Sequence, residues 1–256
     1  MSEYNTIRVE RDERPEGVVA TVVLNRPSKL NAMSTEMNKE LQRAAYGLAR
    51  DPDLRAVVLT AEGKAFVGGA DIKEMAQLDG DTARTFITNL HLANDEFLRM
   101  PVPVIGRING FCLGGGLELA ACCDFRVAVE EAKFGMPEVR VGMPSVIEAV
   151  LLPRLIGWGK ASELLLTGDM IDAQEALQCG LVQKVVPADK LDEQVEAWLH
   201  SILVSAPGAI RIQKRMMRTW QDMPADAAIR AAIDAFEESH SGPEPREYLG
   251  KFLNKG

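Results

Sequence analysis

The stretch Gly110-Phe111-Cys112-Leu113-Gly114-Gly115-Gly116-Leu117-Glu118 decides how this chain is read. Three consecutive glycines follow a short apolar segment and run into residues 119–123, Leu-Ala-Ala-Cys-Cys, which suit a helix, and then into a strand over 125–128. Glycine lets a backbone N–H approach a ligand with no side chain in the way, and the first N–H groups of a helix have no partner within it. The stretch therefore reads as strand, glycine loop and helix, with the loop a donor for developing negative charge. Working outward, the same order occurs upstream. Residues 56–60 are an apolar strand, followed by the turn Ala61-Glu62-Gly63-Lys64 and by Ala65-Phe66-Val67-Gly68-Gly69-Ala70-Asp71. A helix over about 82–99 then carries Phe86, Leu90, Ala93 and Phe97 on one face. Further back, the β-branched run 18–24 ends at Asn25-Arg26-Pro27, and Met37, Leu41, Ala45 and Leu48 recur at helical spacing until Asp51-Pro52. The prolines of 101–105 put that strand's start or edge there.

Beyond Gly157 the texture turns helical, over 161–166, 173–177, 191–205, 209–219 and 225–239, interrupted by a strand at 182–186. The pattern predicts an α/β core over 1–198 and a helical C-terminal region over 199–256, whose amphipathic helices cover either their own core or a neighbouring subunit. The 256 residues suit one large domain or a core with a small appendage, and 46% apolar residues exclude wholesale disorder. Lys and Arg number 29 against 37 Asp and Glu, a net charge of −8 that argues against nucleic acid as the main partner. An anionic ligand needs local cations. No run of eighteen uncharged apolar residues occurs, and the opening segment has neither a signal core nor a transit pattern, so a soluble cytoplasmic protein, with no membrane partner, is expected.

Several chemistries fail on spacing. Leu119 stands where GxGxxG needs its last glycine, and Arg154 where a P-loop ending at Gly159-Lys160 needs its first. No serine sits in GxSxG, and His91, His200 and His240 lie far apart. Cys112, Cys122, Cys123 and Cys179 show no CxxC spacing and read as small buried apolar groups, so no metal is expected. Gly68-Gly69 and Gly114-Gly115-Gly116 together make a candidate oxyanion hole, although either alone equally suits a turn or close packing. Glu118, among Leu117, Leu119, Ala120 and Ala121, is a carboxylate where charge is costly. Glu138 follows Phe134-Gly135-Met136-Pro137, and Glu148 lies in Val146-Ile147-Glu148-Ala149-Val150. Any one of these can be an ion-paired helix glutamate. Two facing one pocket suit water chemistry, one accepting a proton and the other donating it.

Residues 65–75, Ala-Phe-Val-Gly-Gly-Ala-Asp-Ile-Lys-Glu-Met, and 109–120, Asn-Gly-Phe-Cys-Leu-Gly-Gly-Gly-Leu-Glu-Leu-Ala, resemble the two signature segments of the crotonase, or enoyl-CoA hydratase/isomerase, superfamily. Asn25-Arg26-Pro27 with Lys29-Leu30-Asn31-Ala32-Met33, Phe134-Gly135-Met136-Pro137-Glu138, and Thr167-Gly168 with Gly180-Leu181-Val182 fit the same family in the same order. The resemblance implies a spiral of ββα units with a C-terminal helical trimerisation region, assembled as a homotrimer or a dimer of trimers. It implies an acyl-CoA thioester of fatty-acid metabolism as substrate, coenzyme A entering with it and no separate cofactor. It places the thioester oxygen on the amides of Gly68 and Gly115. Gly68, Gly69, Ala70 and Asp71 line the CoA and acyl channel in this comparison, Ile72 and Lys73 belonging to the same binding segment. Lys29, Leu30 and Ala32 lie at the nucleotide part. Arg26, Lys29 and Lys73 are candidate cations for its phosphates. Glu118 and Glu138 match the two glutamates of the hydratases, Glu118 taking a proton from water and Glu138 supplying one to the α-carbon.

The chain departs from the family where a Pro-Gly-x-Gly-Gly-type loop is usual after the second glutamate. Here it reads Val139-Arg140-Val141-Gly142-Met143-Pro144-Ser145-Val146-Ile147-Glu148-Ala149, which leaves the acyl chain length and branching open. Glu148 there is either a third carboxylate or, as the favoured reading, a cap on a stiffer helix. Hydration of a 2-enoyl-CoA is the expected activity. An isomerase, an acyl-CoA hydrolase and a non-catalytic acyl-CoA or RNA-binding protein are the alternatives.

Overall fold

A computed structural model describes residues 4–253, so the first three residues and the last three of the C-terminal region lie outside it. The chain opens with a hairpin, β1 (Ile7–Arg14) and β2 (Gly17–Leu24), whose antiparallel register runs from Ile7 opposite Leu24 to Arg14 opposite Gly17. Then come α1 (Thr35–Leu48), β3 (Leu54–Ala61), β4 (Ala65–Val67), the single turn α2 (Ile72–Met75) and α3 (Gly80–Leu98). The next unit is β5 (Val104–Ile108), β6 (Phe111–Leu113) and α4 (Gly115–Ala121), and the one after it begins with β7 (Phe125–Val129) and β8 (Lys133–Gly135). Two 3-10 turns, Pro137–Val141 and Ile147–Leu151, lead into α5 (Leu152–Thr167), β9 (Met170–Asp172), α6 (Ala173–Gln178), β10 (Lys184–Val186) and α7 (Leu191–Leu203). The chain closes with α8 (Pro207–Trp220), α9 (Ala225–Ser239) and α10 (Glu244–Leu253).

Strand pairing makes the expected spiral explicit. One sheet has the order β1-β2-β3-β5-β7-β10 and the other β4-β6-β8-β9. Each pair β3/β4, β5/β6 and β7/β8 therefore gives its first strand to the large sheet and its second to the small one, and the parallel pairings β3‖β5‖β7 and β4‖β6‖β8 stack successive units. Parallel strands buried on both faces need continuous apolar runs, which β3 (LRAVVLTA) supplies with every residue buried. Phe86, Leu90, Ala93 and Phe97 of α3 all face the core, as their spacing predicts.

Several boundaries differ from the sequence reading. Hairpin strand β1 is absent from it, because after Ile7 and Val9 the strand is wholly charged at the sheet's edge. The strand expected at 101–105 begins at Val104, with both prolines before it. The division at 198/199 falls inside α7, whose Leu199, Ile202 and Leu203 remain in the core. Arg55 holds that helix's end, its guanidinium donating to the carbonyls of Ile202, Leu203 and Ser205. The core therefore includes α7, and Ile210 of α8 packs against it as well. Cys112, Cys122 and Cys123 are buried as expected, and Cys179 is half-buried. Among the described residues no helix is long and apolar enough to cross a membrane, and no cluster of His, Cys, Asp and Glu is arranged to hold a metal.

Candidate active site

The site lies where α4 meets the loop after β4. Gly114 opens α4 with φ +53, and a Cβ there would come within 2.4 Å of Glu138 Oε1, so only glycine lets that carboxylate approach. Gly116 is a packing glycine, since its Cβ would fall 2.4 Å from that of Val67. One turn into the helix, Glu118 is 4% exposed. Gly114, Gly115 and Glu118 line a cavity of about 620 Å³ together with Gly68, Gly69, Ala70, Ile72 and Glu138. Its apolar wall comes from α3, through Phe86, Ile87 and Leu90, and from Met143, Pro144 and Val146 of the loop after Glu138.

The structure corrects one of the two expected donors. The Gly68 N–H donates to the Leu30 carbonyl at 2.8 Å and is not available to a ligand. Met33 bridges the next segment in parallel register: Met33 N–H donates to Gly69 O and Asp71 N–H to Met33 O. In extended chain the amide of the intervening residue faces the opposite side, so the Ala70 N–H is turned from Met33 toward the cavity. Among the described residues the amides of Ala70 and Gly115 donate to no protein acceptor. The available pair is therefore Ala70 with Gly115.

The two expected carboxylates do meet at the cavity. Glu138 sits in the turn Pro137–Val141 and accepts a hydrogen bond from Ser145 Oγ at 2.7 Å. Glu118 Oε1 accepts from the Ala149 N–H at 3.2 Å. Burial first, then the neighbouring charges of Glu138 and Glu148, push the Glu118 carboxyl up to about 9, so it carries a proton at neutral pH. Glu148 neither lines the cavity nor caps a helix. Its oxygens are held from α3, by His91 Nδ1 at 2.5 Å and by Asn94 Nδ2 at 2.8 Å, because the turn Ile147–Leu151 lies against that helix.

The remaining expected residues gather on the outer side of the same loop. Arg26 is paired with Asp71 at 3.0 Å and donates to the Ala32 carbonyl at 2.6 Å, so it braces the loop and is no free cation. Burial pushes the Asp71 carboxyl up, but the Arg26 guanidinium and the backbone N–H groups of Lys73 and Glu74 hold it below the usual carboxylate range. Leu30 and Ala32 lie in the turn that receives Gly68 and Arg26, while Lys29 and Lys73 are exposed and form no ion pair among the described residues. Sequence reasoning missed the Ala70 amide, the Ser145 contact and the His91–Glu148–Asn94 cluster. The first depends on strand register and the others on contacts between segments, for which no local signal exists.

A model of the enoyl-CoA hydratase/isomerase family matches residues 14–256. A probable enoyl-CoA hydratase, echA8, of Mycobacterium bovis is 38% identical over 256 residues, covering 98% of this chain and 96% of that protein. A short-chain-enoyl-CoA hydratase of Clostridium acetobutylicum is 36% identical, with 99% and 96% covered. A crotonyl-CoA hydratase of Syntrophomonas wolfei is 37% identical, with 98% and 96% covered. Among solved structures, an enoyl-CoA hydratase from Bacillus anthracis superposes with a TM-score of 0.93 at 34% identity, covering 98% of this chain and 97% of that one.

Proposed function

From the premise that this chain belongs to the enoyl-CoA hydratase/isomerase family, we propose that it is an enoyl-CoA hydratase, adding water across a trans-2-enoyl-CoA to give the 3-hydroxyacyl-CoA. The observation that carries the mechanism is one cavity holding two carboxylates, Glu118 and Glu138, beside two unsatisfied main-chain amides, Ala70 and Gly115. The amides donate to the thioester oxygen, and the charge that develops on it as water adds to C3 strengthens both hydrogen bonds. One such donor contributes about 3 kcal/mol in the transition state.

The carboxylates act as a pair sharing one proton. In hydration the water oxygen bonds to C3, Glu118 takes the water's proton, and Glu138 delivers its own to C2. Atoms balance with Glu118 protonated and Glu138 ionised. The ligand-free site prefers its proton on Glu118, so it rests in the product-side state, from which dehydration begins. Hydration is reset when Glu118 gives up that proton and Glu138 regains one by exchange with solvent. The high proton affinity of Glu118 supplies driving force for deprotonating water. Exposed Lys29 and Lys73, with Arg26 excluded by its pairing, are the cations left near the loop for the CoA phosphates.

The same reading extends to a homotrimer or a pair of trimers formed through the C-terminal helices. Ile229, Ile233 and Phe236 of α9, 59%, 64% and 69% exposed, support it.

The test is to mix purified protein with a four-carbon trans-2-enoyl-CoA and follow the conjugated absorbance. Loss of absorbance with formation of 3-hydroxybutyryl-CoA is expected, and Glu118→Gln and Glu138→Gln should each lower the rate about 10²–10⁴-fold. Migration of the double bond without gain of water would turn the assignment to an isomerase. Unchanged rates in both variants would remove the roles given to the two glutamates.

A further inference from the structure

Glu148 is a buried carboxylate that this hydration scheme leaves without a task. Its side chain is 5% exposed, and α3 holds both its oxygens through His91 and Asn94. Asn94 is fully buried and turns its Nδ2 to Glu148 while its own Oδ1 has no partner, so its amide is oriented for that carboxylate. The preceding residue, Ile147, has φ +42, in the left-handed region that a β-branched residue avoids. Such a conformation persists only where its surroundings over-determine it. Here two anchors follow it directly. Glu148 ties the turn to α3, and the next residue, Ala149, donates its N–H to Glu118 Oε1.

We infer that Glu148 is a positioning residue for the hydration: by pinning the strained turn to α3 it holds the Ala149 N–H against Glu118 and so orients the carboxylate that meets the water. The inference rests on the hydratase reading of the site. The titratable groups around Glu118 are Glu138 from the turn after β8, Glu148 from the clamped turn and Cys122 on its own helix, while His91 and Asp95, the latter paired with Arg99, come from α3. The charge of Glu148 therefore also raises the proton affinity of Glu118.

Steady-state kinetics with the four-carbon enoyl-CoA separate these effects. Glu148→Ala should lower kcat about 10–100-fold with KM within about threefold, as expected when orientation rather than binding is lost. Glu148→Gln keeps the shape and can still bond Asn94 and His91. It should recover kcat to within about fivefold of the parent chain, and the alkaline limb of its pH profile should move to lower pH because the neighbouring charge is gone. In a Glu118→Gln background Glu148→Ala should cost less than about twofold more, since both changes act through one group. His91→Ala, at a half-exposed position that the fold tolerates, should lower kcat about 3–10-fold and decides the matter with Glu148→Gln if the alanine variant does not fold. Parental kcat and pH profile in the folded variants, or a Glu148→Ala loss that multiplies fully with Glu118→Gln, would overturn the inference. An inactive parent chain would overturn the hydratase reading itself, and this inference with it.

Discussion

Glu118 illustrates how far its surroundings move a carboxylate whose identity is plain in the sequence. An acid following three glycines and flanked by Leu and Ala announces itself as unusual, but the size of its perturbation comes first from burial and then from Glu138 and Glu148, which the fold brings up from twenty and thirty residues away. Since its folded-state proton affinity rises from 4.5 to about 9, the folded chain keeps a proton that the unfolded chain has released between those values. Ionising tendency at Glu118 therefore destabilises the fold progressively as pH rises through that window and costs nothing below it. Glu118→Gln should leave Tm nearly unchanged at pH 4 and raise stability by about 1–3 kcal/mol at pH 8. Thermal melts across that range check it, and a Tm difference that stays flat or shrinks with rising pH would contradict the burial argument. Arg26 shows the converse. As a residue type it suits phosphate, yet Asp71, forty-five positions away, claims its guanidinium.

At the level of elements, periodicity located most helices because one-sided burial leaves a mark on every turn, as in α3 and α9. Ends were less legible. Helix α7 stops where Arg55, on β3, donates to the carbonyls of Ile202, Leu203 and Ser205, a cap supplied from about 150 residues away. Arg55→Ala should cost about 2–3 kcal/mol, because it removes charged hydrogen bonds to these carbonyls and to that of Glu16, and should lower the urea midpoint without altering the slope. An unchanged midpoint would mean that solvent satisfies the carbonyls. In α5 the sequence reading began at 161 because Gly157, with φ +76, breaks the helical course, although the element runs from Leu152.

On the scale of the whole molecule, the two sheets bury the core and leave the last three helices with exposed apolar side chains, among them Ile229, Ile233, Phe236 and Leu249. A trimer covering them should give a solution mass of about three times 28.0 kDa by light scattering, and Ile233→Glu with Phe236→Glu should shift it toward the single chain. A parent chain that runs as a monomer would refute the assembly. By itself the amino-acid order determined the α/β class and the repeated strand–glycine–helix unit, carried the family resemblance and singled out Glu118, Glu138 and Gly115 as candidates, because hydrophobic period, glycine clusters and motif spacing are properties of neighbours along the chain. Only the tertiary structure decided that Ala70 rather than Gly68 offers its amide, that Arg26 is a brace, and that Glu148 turns to His91 and Asn94. Those outcomes depend on which backbone face a register exposes and which distant group arrives first at a hydrogen bond, and neither quantity is written in local sequence.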